Sequence, residues 1–146
     1  MAQSDLTVVP DLLERARRYL SEDLHFATVA TVGPDGAPLQ AVSWYLLEGD
    51  ALVLNSAAGR AWPANLQRDP RVSVIVDHDY DWLSIRGVVT IDERPDVAQG
   101  HIAAMARHYH ADEPERAERM IRDGFEREHR ISFRIGLAAS RLYFGH

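Results

Sequence analysis

The 146-residue chain has no cysteine, which rules out disulfides, thiolate nucleophiles and thiolate metal centres. It has no lysine either: all 16 basic residues are arginine. That excludes a lysine Schiff base, and with it ordinary pyridoxal-phosphate catalysis. Any bound anion must be held by arginine forks and backbone N–H groups. A genome-wide preference for arginine codons would empty the sequence of lysine equally well. No apolar run approaches the ~20 residues that span a bilayer, and the N-terminus lacks a basic-then-apolar signal pattern, so a cytoplasmic protein is expected. The net charge of -6 argues against nonspecific binding to nucleic acid or an anionic membrane. No nucleophile elbow of the form Gly-x-Ser-x-Gly is present.

What is there reads as one domain over residues 1–146, long enough for a real core. Met1–Val9 reads as a lead-in. Pro10-Asp11 predicts a helix start, and Leu13, Ala16 and Leu20 then recur at helical spacing, with Glu14, Arg15, Arg17 and Arg18 facing water. His25–Val32 is β-branched and apolar, and Gly33-Pro34-Asp35-Gly36 is a turn signal. Ala37–Glu48 predicts a long strand, Glu48-Gly49-Asp50 a second turn, and Ala51–Asn55 a third strand, together an antiparallel meander. Arg71–His78 is a further strand. In Trp82–Asp92, Leu83, Ile85, Gly87, Val89 and Ile91 share one face. Pro95 to about Arg127 predicts two helices broken near Asp112–Pro114, with buried stripes at Ile102, Met105 and Tyr109 and at Met120, Ile121 and Phe125. Ile131–Leu137 alternates again, and Arg141–Phe144 ends the chain as strand. Leaving that terminal strand aside, six short strands, with one helix inserted after the third and a helical pair before the last of them, predict an α+β fold: a six-stranded antiparallel barrel, closed or half-closed, with peripheral helices. A barrel this small fills its inside with side chains, so a ligand is expected outside, at a seam or subunit interface.

The stretch Leu54–Val76 organises the rest. Leu52–Leu54 has strand character, and Ala57, Ala58 and Gly59 are too small to screen the backbone from a ligand. From Arg60 a short helix carries Trp62 and Leu66 one turn apart, and Asp69-Pro70 closes it. A helix starting just after a strand offers unpaired N–H groups and a positive dipole end to a phosphate, with Asn55, Ser56 and Arg60 as further donors. From spacing alone, a plain strand-turn-helix connection with Arg60 in solvent accounts for the same residues. The histidines carry no metal pattern: His101 and His108 are seven apart on one helix face, His108 and His110 diverge, and none has the one-turn spacing of a two-histidine site. Solvent-facing helix histidines and no metal are expected. Asp79 and Asp81 read as a solvated turn.

Together, the segments TVGPDGAPLQAVSWY, LNSAAGRAWPANLQRDPRVSV and WLSIRGVV resemble the split-barrel flavin and deazaflavin oxidoreductases, the pyridoxamine-5'-phosphate-oxidase-like proteins, and more narrowly their branch using the deazaflavin coenzyme F420. Pro-Asp-Gly-x-Pro at Pro34–Pro38, the run from Gly59 to Ser73 and Arg86-Gly87 carry the likeness, which covers about His25 to Asp92. The resemblance implies a homodimer with two cofactor sites at its interface. Ser43 and Trp44 would lie nearest the ring, and Asn55, Ser56, Gly59 and Arg60 would surround the phosphate. Asn65 would brace the helix start, and Trp82 would approach from the partner subunit. Trp44 and Trp62 lean towards cofactor contact, although packing explains such aromatics too. Many relatives carry a second basic residue after the matching arginine; here that position is Ala61, which weakens the clamp and leaves Trp62-Pro63 to reshape the pocket. The end SRLYFGH lacks the basic signature of true pyridoxamine-phosphate oxidases. The expected activity is hydride transfer from reduced F420 to an electron-poor small organic molecule, with no catalytic side chain named because the cofactor carries the chemistry. The alternatives are an FMN-dependent oxidase or reductase of the same fold, and a non-catalytic module for a flavin or haem.

Overall fold

A computed structural model describes the backbone from Ala2 to His146 and the side chains from Leu12 onward. Met1 and the side chains of Pro10 and Asp11 lie outside the described residues. In chain order the elements are α1 (Ala2–Glu22), β1 (Ala27–Val32), β2 (Pro38–Ser43), β3 (Leu46–Glu48), β4 (Ala51–Ala57), α2 (Ala61–Arg68), β5 (Arg71–His78) and β6 (Asp81–Asp92), then α3 (Pro95–Tyr109), α4 (Pro114–Asp123), β7 (Arg130–Gly136) and β8 (Arg141–Gly145). α1 starts well before the predicted Pro10. Ala16 and Leu20 are buried as their spacing predicts, and Arg15, Arg17 and Arg18 are exposed.

Every strand pairing is antiparallel, in the order β2-β1-β5-β6-β7-β4-β3. β2 and β3 stand at opposite ends of that order, yet only Trp44 and Tyr45 separate them in the chain. One bent strand therefore holds both edges of the sheet, and the sheet must curl into a barrel whose seam is that bend. With β2 and β3 counted as one strand, six strands form the wall, as predicted; β8 is added along Trp82–Arg86 of β6. One local expectation is corrected here. The predicted strand Ala37–Glu48 breaks at Trp44-Tyr45 because the two rings take different partners. Trp44 stacks on Tyr109, centroids 5.1 Å apart, and the Tyr45 hydroxyl donates to the Leu20 carbonyl at 3.0 Å. The predicted three-strand meander holds in its pairings, β1 with β2 and β3 with β4, both antiparallel, although its middle strand is bent so that each half serves one neighbour.

The barrel is filled, not hollow. Leu52 and Leu54 of β4 meet Val74, Leu83, Ile85 and Phe133 in one buried cluster. Val53, on the other face of β4, is buried too, because α3 covers it with Ile102, Met105 and Tyr109. α4 packs in turn on α3 through Ala106, Ala117 and Ile121. The Tyr109 hydroxyl is the rivet between layers: it accepts the Tyr45 N–H at 3.2 Å and donates to the His25 carbonyl. Burial pushes its pKa up to about 12.

Tyr109→Phe leaves a buried N–H and a buried carbonyl without their partner and is expected to cost about 1–3 kcal/mol, read by urea unfolding. A loss below a few tenths would contradict the rivet. Because the folded hydroxyl holds its proton to about pH 12, above the ordinary value of 10.0, its contribution is present below pH 10 and fades as pH rises towards 12.

Candidate functional site

The corner between β4 and α2 is shaped by one glycine. Gly59 has φ 92°, a conformation that costs glycine nothing and other residues much, and the chain reverses there to make Arg60 the N-cap residue of α2. No side chain caps the helix, and the N–H groups of Ala61 and Trp62 have no acceptor within it. A cleft of about 330 Å3 opens beside this corner. One side is polar, with Asn55, Ser56, Arg60 and Arg130; the other is apolar, built chiefly by Trp44, Trp62, Ile102, Met105, Met120 and Phe125. Exposed Phe26 and Val42 also line it.

Arg130 opens β7 opposite Ala57 of β4 and is only 5% exposed. Burial pushes its pKa down, and Glu128 opposes that shift; an arginine starts so high that it stays charged. Its Nε donates to Asn55 Oδ1 at 2.9 Å, one terminal nitrogen donates to Glu128 Oε1 at 2.9 Å, and the guanidinium carbon lies 4.9 Å from the centre of the Phe125 ring. Glu128 Oε2 stands 4.0 Å from Arg60, so one carboxylate lies between two guanidinium groups. The polar end of the cleft keeps an excess of positive charge.

Asn55 holds this arrangement in place. Its Nδ2 donates to the Ala98 carbonyl at 2.9 Å and to Ser132 Oγ at 3.1 Å. Ser132 Oγ lies 2.7 Å from His101 Nδ1, and His101 Nε2 lies 2.9 Å from Glu48. Arg134 donates to the other oxygen of Glu48. A continuous polar chain thus runs from the cleft through β4, β7 and α3 to the far surface. Both donors of Asn55 are committed to this chain, so it positions Arg130 and has none left for a phosphate. His101 corrects the expectation of solvent-facing helix histidines. It is 7% exposed, because α3 lays that face on β7 and β3.

The remaining candidates divide clearly. Ser43, Trp44, Ser56, Arg60 and Trp62 line the cleft. Trp62 also reaches the core, its ring 5.6 Å from that of Phe133, so it serves both packing and the cleft wall. Arg60 is largely exposed and still borders the cleft, which reconciles the two readings of its spacing. Gly59 and Ala61 shape the corner without lining the cleft. Asn65 is buried and bonds Thr31 at 3.0 Å, tying α2 to β1. Trp82 stands apart from the cleft, its indole lying so close on Gly145 that an added Cβ there would come within 2.2 Å. Sequence reasoning missed Arg130, Glu128, Phe26 and Val42 as site residues. Arg130 is distant in sequence and reads as the ordinary charged start of an apolar strand; only its register with Ala57 brings it to the corner.

The surface end of the polar chain predicts an acid response. The hydrogen bond from Arg134, and after it that from His101, holds the Glu48 carboxyl below its usual value of 4.5. A carboxylate so shifted stabilises the fold above pH 4.5 and loses that contribution as pH falls through its folded value. Glu48→Gln should therefore be less stable than the parent at neutral pH by under about 1 kcal/mol, since the carboxylate is half-exposed, with the gap closing in acid. Urea unfolding across pH checks this; a gap independent of pH would contradict it.

Comparison with known proteins gives the fold a lineage. A conserved hypothetical protein from Mycobacterium tuberculosis superposes with a TM-score of 0.68 at 27% identity, over 89% of this chain and 82% of that one. An F420 reductase superposes at 0.56 and 22% identity, over 88% and 94%. The haem storage protein HutZ from Vibrio cholerae does so at 0.63 and 15% identity, over 90% and 93%. At the last two identities the likeness is one of fold. No curated protein sequence matches the chain. The model for pyridoxamine 5'-phosphate oxidase matches residues 13–130, the whole stretch from α1 to the buried arginine of the cleft, and the chain belongs to that family.

Proposed function

We propose that the chain is an oxidoreductase that binds reduced coenzyme F420 in this cleft and passes a hydride to an electron-poor double bond or ring of a small organic substrate. The observation that carries the reading is the joining, in one cleft, of two guanidinium groups and an uncapped helix start with a wall of aromatic and thioether side chains. Arginine forks and unpaired helix N–H groups suit a phosphate. Trp44 and Met105 give a planar ring an apolar, polarisable surface. The family resemblance placed a second cation next to Arg60, where this chain has Ala61; Arg130, arriving from β7, supplies that second cation instead. When bound, the cofactor supplies the hydride chemistry. The chain binds, orients and keeps water from one face, and no side chain need move a proton that solvent can deliver.

A cleft of about 330 Å3 is at the small end of small-molecule sites, which run to about 1,000 Å3. A second copy would complete it, which is how Trp82 could take part. The outer face of β5 and β6 offers a surface for that copy: a groove of about 590 Å3 with Val88, Arg71, Arg86 and Arg141. FMN carries the same ribityl chain and phosphate, and the shared fold of a haem storage protein keeps a non-catalytic module as a further reading. Among the described residues no helix is long and apolar enough to cross a membrane.

Titration of the purified chain separates these readings. F420 is expected to bind with a change in fluorescence and to be oxidised in turnover with an enone or quinone. FMN carried through purification would instead show as a yellow chromophore, and haem as a Soret band. Arg60→Ala should weaken F420 binding by about 1.5–3 kcal/mol, as for a charge-assisted hydrogen bond. Unchanged affinity in that variant would move the site elsewhere.

A further inference from the structure

We propose that Asp23, His25 and His78 form a site for a divalent transition-metal ion, zinc being the best match, at the end of the barrel where α1 hands over to β1. The three residues each offer one ligand atom, and these atoms all lie within 4.8 Å of one another. The backbone dictates the meeting. β1 and β5 pair with Ala27 opposite Val76, and two residues further along that register His25 faces His78, on the side of the strands that carries the buried Ala27 and Val76. Asp23 reaches the same point from the linker, two residues before His25.

The ring geometry suits a shared ion. The two imidazole centroids are 5.3 Å apart with planes at 80°. Two imidazoles on one tetrahedral ion with metal–nitrogen bonds of about 2.1 Å put their ring centres about 5.3 Å apart. His25 is 6% exposed and stacks on Tyr19 at 5.3 Å, which holds its ring in place beside His78. The Asp79 carboxylate lies 3.5 Å from His78 Nε2, in place either to orient that ring, as carboxylates do behind metal-bound histidines, or to become a fourth ligand. Two imidazoles and a carboxylate, with no thiolate in the chain, select zinc, cobalt or nickel over calcium or magnesium. Three protein ligands leave the remaining position to water or Asp79. The sequence shows only Asp-x-His at 23–25 and a lone histidine far downstream, which is why no metal was expected.

The untagged full chain, stripped with a chelator, tests this by calorimetric titration with zinc and by the visible spectrum of added cobalt. One ion per chain is expected, with cobalt bands typical of a four-coordinate nitrogen and oxygen site. His78→Ala and Asp23→Ala, both at exposed positions where folding is not at stake, should each weaken zinc binding more than tenfold. His108→Ala and His129→Ala should leave it unchanged. No binding to the stripped chain would overturn the proposal, and so would binding that survives His78→Ala and Asp23→Ala. F420 affinity enters none of these readouts, so the proposed cofactor site can fail without this one and the reverse.

Discussion

A guanidinium group that is almost wholly out of water must be paired on the spot, and Arg130 is such a group. Leaving one buried charge uncompensated costs several kcal/mol, far more than any surface pair returns. The pairing here is made by residues on separate elements: Asn55 at the end of β4 and Glu128 just before β7. Asn55 is fixed in turn by α3 and by Ser132. One requirement therefore sets the register of two strands, the seat of a helix and the position of a positive charge at the cleft. The same chain of hydrogen bonds continues through His101 to Glu48 and Arg134 at the surface, so the cleft rests on a polar frame where a core would usually be apolar. Such frames rigidify only when every member is satisfied, and no buried side-chain nitrogen or oxygen among the described residues lacks a partner.

Barrel closure explains why binding happens on the outside. The bent strand that carries Trp44 and Tyr45 joins the two sheet edges, and the interior then fills with Leu, Ile, Val and Phe side chains. The outer face of β4 is different. α3 and α4 cover it only in part, and where they stop short the cleft remains, walled by Met105 and Phe125 on the helical side and by Trp44 on the strand side. The left-handed Gly59 places the start of α2 at the edge of that gap.

Much of this was readable in the chain, for local reasons. The alternation in Trp82–Asp92 gave β6 almost to the residue, because a strand half in the core must alternate. Trp62 and Leu66 gave the buried face of α2, and Pro114 the break between α3 and α4. Gly59 and Arg60 marked the corner. What stayed hidden depends on partners distant in sequence. The break at Trp44-Tyr45 is decided by Tyr109 and Leu20, not by anything in the strand. His101 looks like a solvent residue until Ser132 and Glu48 meet it. Arg130 and the meeting of His25 with His78 exist only through strand register, and the role of Asn55 as a brace for Arg130 follows from the same pairing.

The most direct measurement is a crystal structure of the chain with F420 bound. The account predicts the phosphate within hydrogen-bond distance of Arg60 and of the first N–H groups of α2, Arg130 still joined to Asn55, and the ring system against Trp44 and Met105. A cofactor seated on the Arg71, Arg86 and Arg141 face, with Arg60 left in solvent, would contradict it.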